Sequence, residues 1–192
     1  MVRERGKSER DHRLMKENIL SDKKGYLPRL SKESYIGCKH VMFDMRTYKS
    51  SKIFIRQDTA GIAIDLLHYY VKKYECKAVC YIFMPDHVHI ILQGTTDTAN
   101  CLTCHNVWKS ETAIQIATKR ETNSERIFQK QSYDHIMRSH EYEKRRLLTK
   151  VKYIVMNSVR AGLVEDWKDY PYVGSTFGTY DIRNPLWWGK YF

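Results

Sequence analysis

Two histidines and a distant tyrosine are the residues in this sequence best suited to chemistry. The segment Met84-Pro85-Asp86-His87-Val88-His89-Ile90-Ile91-Leu92 sets a His-x-His pair between a turn-forming Pro-Asp and an apolar run. Strand side chains alternate, so His87 and His89 share one face while Val88 takes the other. Two neutral imidazoles side by side can hold one divalent cation. The same pattern also occurs as two polar residues on a solvated strand face. Asp86 either shapes the turn or supports a histidine ring.

The second constellation runs from Lys152 to Val164 and contains Tyr153 and Asn157. On a helix, residues four apart lie on one face. If that face covers the histidines, the Asn157 amide oxygen can complete the cation's ligands and the Tyr153 phenol sits beside a bound phosphate. Such a set suits in-line attack on a phosphodiester. A free phenol ionises near pH 10, roughly, so a cation or a base must favour its charged form. No GxxxxGK[ST] loop occurs, in keeping with an ATP-independent reaction.

Several elements must position these groups. The alternation over Lys39–Met45 predicts a half-buried strand. Apolar residues at helical spacing over Thr59–Tyr74 predict a helix with Asp58 as its N-cap. The runs KAVCYIFM and HVHIILQG, parted by Pro85-Asp86, predict a tight antiparallel pair. Thr98–Lys119 predicts a second helix with Trp108 inside, and Ser139–Asn157 a third, stopped by Gly162 as a left-handed C-cap. The stretch from Trp167 predicts an irregular wrap. Together these give an α/β or α+β sandwich with helices on one face of a small sheet.

The chain has 192 residues, which suits one domain with tails, and 42% of them are hydrophobic, which excludes a disordered chain. Its longest apolar run, Ala78–Met84, is far short of the roughly 20 residues that cross a bilayer. The charged start has no apolar stretch after it, so neither an export nor a membrane role is expected. Lys and Arg outnumber Asp and Glu by 33 to 22, a net charge of +11 that points to a polyanion. Arg138, Lys144, Arg145, Arg146, Lys150 and Arg160 cluster around the tyrosine segment as candidate nucleic-acid contacts, or as an ordinary solvated helix face. The five cysteines read as reduced core thiols; a zinc site on Cys101, Cys104 and His105 is the weaker alternative.

The combination of MPDHVHIIL, Gln129 with Tyr133-Asp134-His135, and YIVMNSVRAGLV resembles the REP-associated tyrosine transposases, within the single-tyrosine HUH nucleases. The likeness runs from about Cys38 to Ser175. It implies an α+β fold, a ferredoxin-like antiparallel sheet with helices packed on one face. It implies a metal-dependent transposase that cleaves and rejoins single-stranded DNA beside hairpin sequences through a covalent 5′-phosphotyrosine. Tyr153 would be the nucleophile, and His87, His89 and Asn157 would be ligands of Mg2+ or Mn2+. The expected partners are single-stranded and hairpin DNA, at the nucleoid in the cytoplasm. A monomer with the tyrosine in its own subunit is expected, a dimer being the alternative. The domain would span 35–178, between a basic arm over 1–34 and an aromatic tail over 179–192. Asn157-Ser158-Val159 departs from the family's usual Asn-Pro-Val, which frees a backbone N–H and lets the helix run further. A catalytically idle hairpin-binding protein is the competing function.

Overall fold

The computed structural model describes residues 30–121, 126–137, 144–178 and 181–191. The basic arm therefore lies almost wholly outside the described residues, as do Arg138 and the expected helix start at Ser139. From Lys32 onward the chain forms one unit.

Its centre is a five-stranded antiparallel sheet in the order β4-β1-β3-β2-β5. The strands are β1 (His40–Arg46), β2 (Cys76–Met84), β3 (His87–Gly94), β4 (Tyr133–Ile136) and β5 (Val173–Gly174). Helix α1 (Gln57–Lys73) joins β1 to β2, and α2 (Cys101–Lys119) joins β3 to β4. This β-α-β-β-α-β succession is the ferredoxin-like arrangement the resemblance implies.

Alternation along β3 divides the core in two. Val88, Ile90 and Leu92 face α1 and α2 with Phe43, Phe83 and Trp108. Trp108 is a core residue, its indole N–H donating to the Ala63 carbonyl at 2.9 Å. Ile91 faces the other way, with Met42, Cys80 and Ile82. A bulge between Ala78 and Cys80 turns both Val79 and Cys80 toward that second face.

The expected helix pair thus covers one face, and a third helix packs on the opposite one in addition. Helix α3 (Lys144–Val155) buries Val151, Ile154 and Val155 there. The C-terminal segment is more regular than expected. Strand β5 pairs with the edge of β2, and α5 (Pro185–Tyr191) places Trp187 in the second core with Ile182. The Trp187 indole N–H reaches the Phe177 carbonyl at 2.8 Å. Apolar burial outweighs the irregular Gly, Pro and Tyr signal here.

Helix ends differ in detail from the sequence reading. Arg56, with no capping side chain, precedes α1, while Asp58 lies in the first turn and accepts from the Thr59 N–H at 2.8 Å. Asn100 caps α2 by accepting from the Thr103 N–H at 3.0 Å. Among the described residues no helix is long and apolar enough to cross a membrane.

Candidate active site

The Pro85-Asp86 turn joins β2 to β3 directly, so Met84 pairs with His87. A neighbouring loop pins it. Thr47 donates its N–H and its hydroxyl to the Asp86 carbonyl, both at 2.9 Å, and the Phe54 N–H reaches the Pro85 carbonyl at 3.1 Å. His87 and His89 leave this turn on the face that carries α3, with ring centroids 5.0 Å apart.

Each ring is oriented by its own carboxylate. The Nδ1–H of His87 donates to Asp86 Oδ1 at 2.7 Å, and that of His89 to Asp44 Oδ1. A proton held at Nδ1 leaves the Nε2 lone pair available to a cation. Asp86 therefore does both jobs considered for it, turn and support. Sequence reading missed Asp44. It stands opposite His89 on β1, and only the strand register brings it there. Arg46 was missed for the same reason; it stands opposite His87 and is exposed.

Tyr153 comes to this pair from α3. Its neighbours Ile154 and Val155 are buried against the sheet, which leaves Tyr153 half exposed at the helix margin. The ring centroids of Tyr153 and His89 lie 6.2 Å apart, nearly edge-on. All three groups meet within one chain. The Arg160 guanidinium covers the outer side of the phenol, 4.4 Å from the ring centre, and donates to the Tyr153 carbonyl at 2.6 Å.

The sequence predicts one helix over 139–157, but the helix is not continuous through Asn157. It ends at Val155, breaks at Met156 and resumes for one turn, α4 (Asn157–Arg160). Asn157 bridges the break, its amide N–H groups donating to the Tyr153 and Ile154 carbonyls at 3.1 Å each. That use fixes the amide and leaves its oxygen as the atom available to a cation. Ser158, where the family pattern has Pro, is buried and donates to the Val155 carbonyl at 3.2 Å. Gly162 ends the turn with φ +65°, a conformation that favours glycine.

Of the candidate nucleic-acid contacts, Arg146 is exposed and Lys150 partly so on α3, and Arg160 is turned onto Tyr153. Lys144 and Arg145 are described only as helical backbone.

The zinc reading does not hold. Cys101 and Cys104 are buried and donate to the Lys39 and Tyr70 carbonyls at 3.7 and 3.6 Å. His105 stacks on Phe43 at 4.1 Å and approaches the Met45 sulfur, away from any open site. Among the described residues no three His, Cys, Asp or Glu side chains are grouped to hold a metal ion.

No family model matches the chain, and no curated protein matches it. Among solved structures it is similar to a REP-associated tyrosine transposase bound to a REP hairpin. That TM-score is 0.61, with 18% identity over 79% of this chain and 82% of the other. The two share a fold. Two further structures score 0.44: a proposed transposase of Deinococcus radiodurans R1 and a bacterial tRNA(His) guanylyltransferase (Thg1)-like protein with GTP. The first is 13% identical over 68% of this chain and 96% of its own; the second is 12% identical over 85% and 83%. Neither is close enough to carry an argument.

Proposed function

We propose that the chain is a REP-associated tyrosine transposase, which cleaves and rejoins single-stranded DNA beside hairpin sequences. The observation that carries this reading is the meeting in one chain of Tyr153 with His89, 6.2 Å between ring centres, beside His87, whose ring lies 5.0 Å from that of His89. The shared fold supports it, and the hairpin in the neighbouring structure supports hairpin DNA as the partner. A convergence within one chain favours a nucleophile supplied in cis.

In this reading the Tyr153 oxygen bonds to phosphorus as the bond to the 3′ oxygen breaks, leaving a 5′-phosphotyrosine. The new ester preserves the energy of the old one, so rejoining to a 3′-hydroxyl needs no nucleotide. His87 and His89, with the Asn157 amide oxygen, would hold Mg2+ or Mn2+, which would polarise the scissile phosphate. Asp86 and Asp44 keep both imidazoles in the tautomer that presents Nε2. Arg160 and Asn157 both bond the Tyr153 carbonyl and so hold the nucleophile's backbone while its oxygen reacts.

The test is incubation with a single-stranded hairpin oligonucleotide carrying an unpaired flank, in Mn2+. A protein–DNA band that survives SDS, lost on chelation and in Tyr153→Phe, is expected. Salt-sensitive binding with no adduct would instead identify an idle hairpin-binding protein.

A further inference from the structure

We infer that Tyr133 is a stacking platform for one unpaired base of the DNA strand, set beside the catalytic histidines; this rests on the function proposed above. The segment Tyr133-Asp134-His135 takes no part in the chemistry described so far, yet it forms the edge strand of the sheet next to β1. Residues directly opposite in an antiparallel ladder share a face. Tyr133 stands opposite Asp44, and Asp44 stands opposite His89. Tyr133, Asp44 and His89 therefore form one row running from the site to the edge of the sheet. Asp134 faces the other way and accepts a hydrogen bond from the buried Tyr35 hydroxyl. That anchor fixes the strand's facing and so commits Tyr133 to the site side.

Among the described residues the ring has no packing role there. Tyr133 is 57% exposed at the strand's first residue. Other exposed tyrosines are covered: Tyr48 by Lys49 and Arg126, Tyr69 by Tyr70 and Lys73, and Tyr153 by Arg160. Among the described residues no ring or cation covers Tyr133. An uncovered aromatic face costs hydration and offers what an unpaired base needs, a flat apolar surface.

Position selects the occupant. Two strand spacings separate Tyr133 from His89, about 10 Å, which is about three stacked nucleotides and fewer in an extended strand. Arg46, opposite His87 on the same face, adds positive charge for the backbone between them. A duplex hides its base faces, so this platform serves the unpaired strand and not the hairpin stem.

The full chain and its Tyr133→Ala, Tyr133→Phe and Tyr153→Phe variants would be tested on a hairpin oligonucleotide whose unpaired flank carries 2-aminopurine at successive positions. Quenching at one position in the wild type, lost in Tyr133→Ala and kept in Tyr133→Phe, is expected. Affinity for the flanked hairpin should fall about 5- to 150-fold in Tyr133→Ala, and affinity for the blunt hairpin should not change. Unchanged affinity and quenching in Tyr133→Ala, with the Tyr153 adduct still formed, would overturn the inference and leave the proposed function standing. Tyr133-dependent quenching without any adduct would do the reverse: the platform would stand, on a binding protein.

Discussion

Alternate residues of β3 look to opposite sides of one sheet, and the two sets differ in kind. Val88, Ile90 and Leu92 enter a core closed by α1 and α2, where even His105 is stacked and buried. His87 and His89 enter the other side, which α3 covers only in part. Ile91, next in that row, is fully buried beneath Val151 and Ile154, while His87 and His89 lie toward the turn with Asp44, Asp86 and Tyr153. One face supplies the apolar burial that makes β3 rigid; the other uses that rigidity to hold two rings and a phenol in register. Chemistry and stability should therefore separate by residue parity.

Substituting the phenol tests that separation most severely. Tyr153→Phe removes one oxygen from a half-exposed ring, so the covalent DNA adduct should vanish while the thermal midpoint stays within a degree or two. A midpoint that drops with the adduct would mean Tyr153 is part of the core. The complementary change is Ile90→Ala on the packed face. It should cost about 2–5 kcal/mol in denaturant unfolding, yet the protein still folded should form adduct at the wild-type rate. Lost activity in that folded fraction would show that the two faces are coupled.

Asp44→Asn is subtler. The amide keeps the shape but can present its N–H to Nδ1, which favours the wrong tautomer of His89. Loss of such a carboxylate partner lowers metal affinity or activity by about 10- to 100-fold. Mn2+ titration of the adduct yield measures this, with Asp44→Glu as the partial rescue. An unchanged Mn2+ dependence would mean that the Asp44 carboxylate does not hold His89 in the tautomer the reaction needs.

Much of this division was legible in the amino-acid order. Period-two alternation gave the shared face of His87 and His89, and the Pro-Asp pair gave the hairpin. The spacing of Tyr153 and Asn157 suggested a common face, though the break at Met156 makes them neighbours through a capping hydrogen bond instead of a continuous helix. Asp44, Arg46 and Tyr133 could not be assigned, because their relation to the histidines depends on strand order and register, which are non-local. The tail misled for another reason. Trp187 sits among Gly, Pro and charged residues, and only the open end of the second core explains its burial.

A last contrast lies within the chemical face itself. His40 shares β1 with Asp44 and, four residues away, the same side of the sheet, and there desolvation by burial lowers its pKa from 6.5 to about 4. The unfolded chain takes up a proton as pH falls through 6.5, and the folded chain resists until about 4. Stability from this residue is thus complete above pH 6.5 and declines as pH falls toward 4. Between pH 7 and 6 the loss is small, under about 1 kcal/mol. Thermal unfolding of the wild type and His40→Gln across that interval isolates it, because every other titrating group is common to both. The wild type should lose more of its midpoint than the variant on acidification. Parallel curves would mean that His40 is as free to protonate in the folded protein as in the unfolded chain, and that burial on this face of the sheet does not extend to the start of β1.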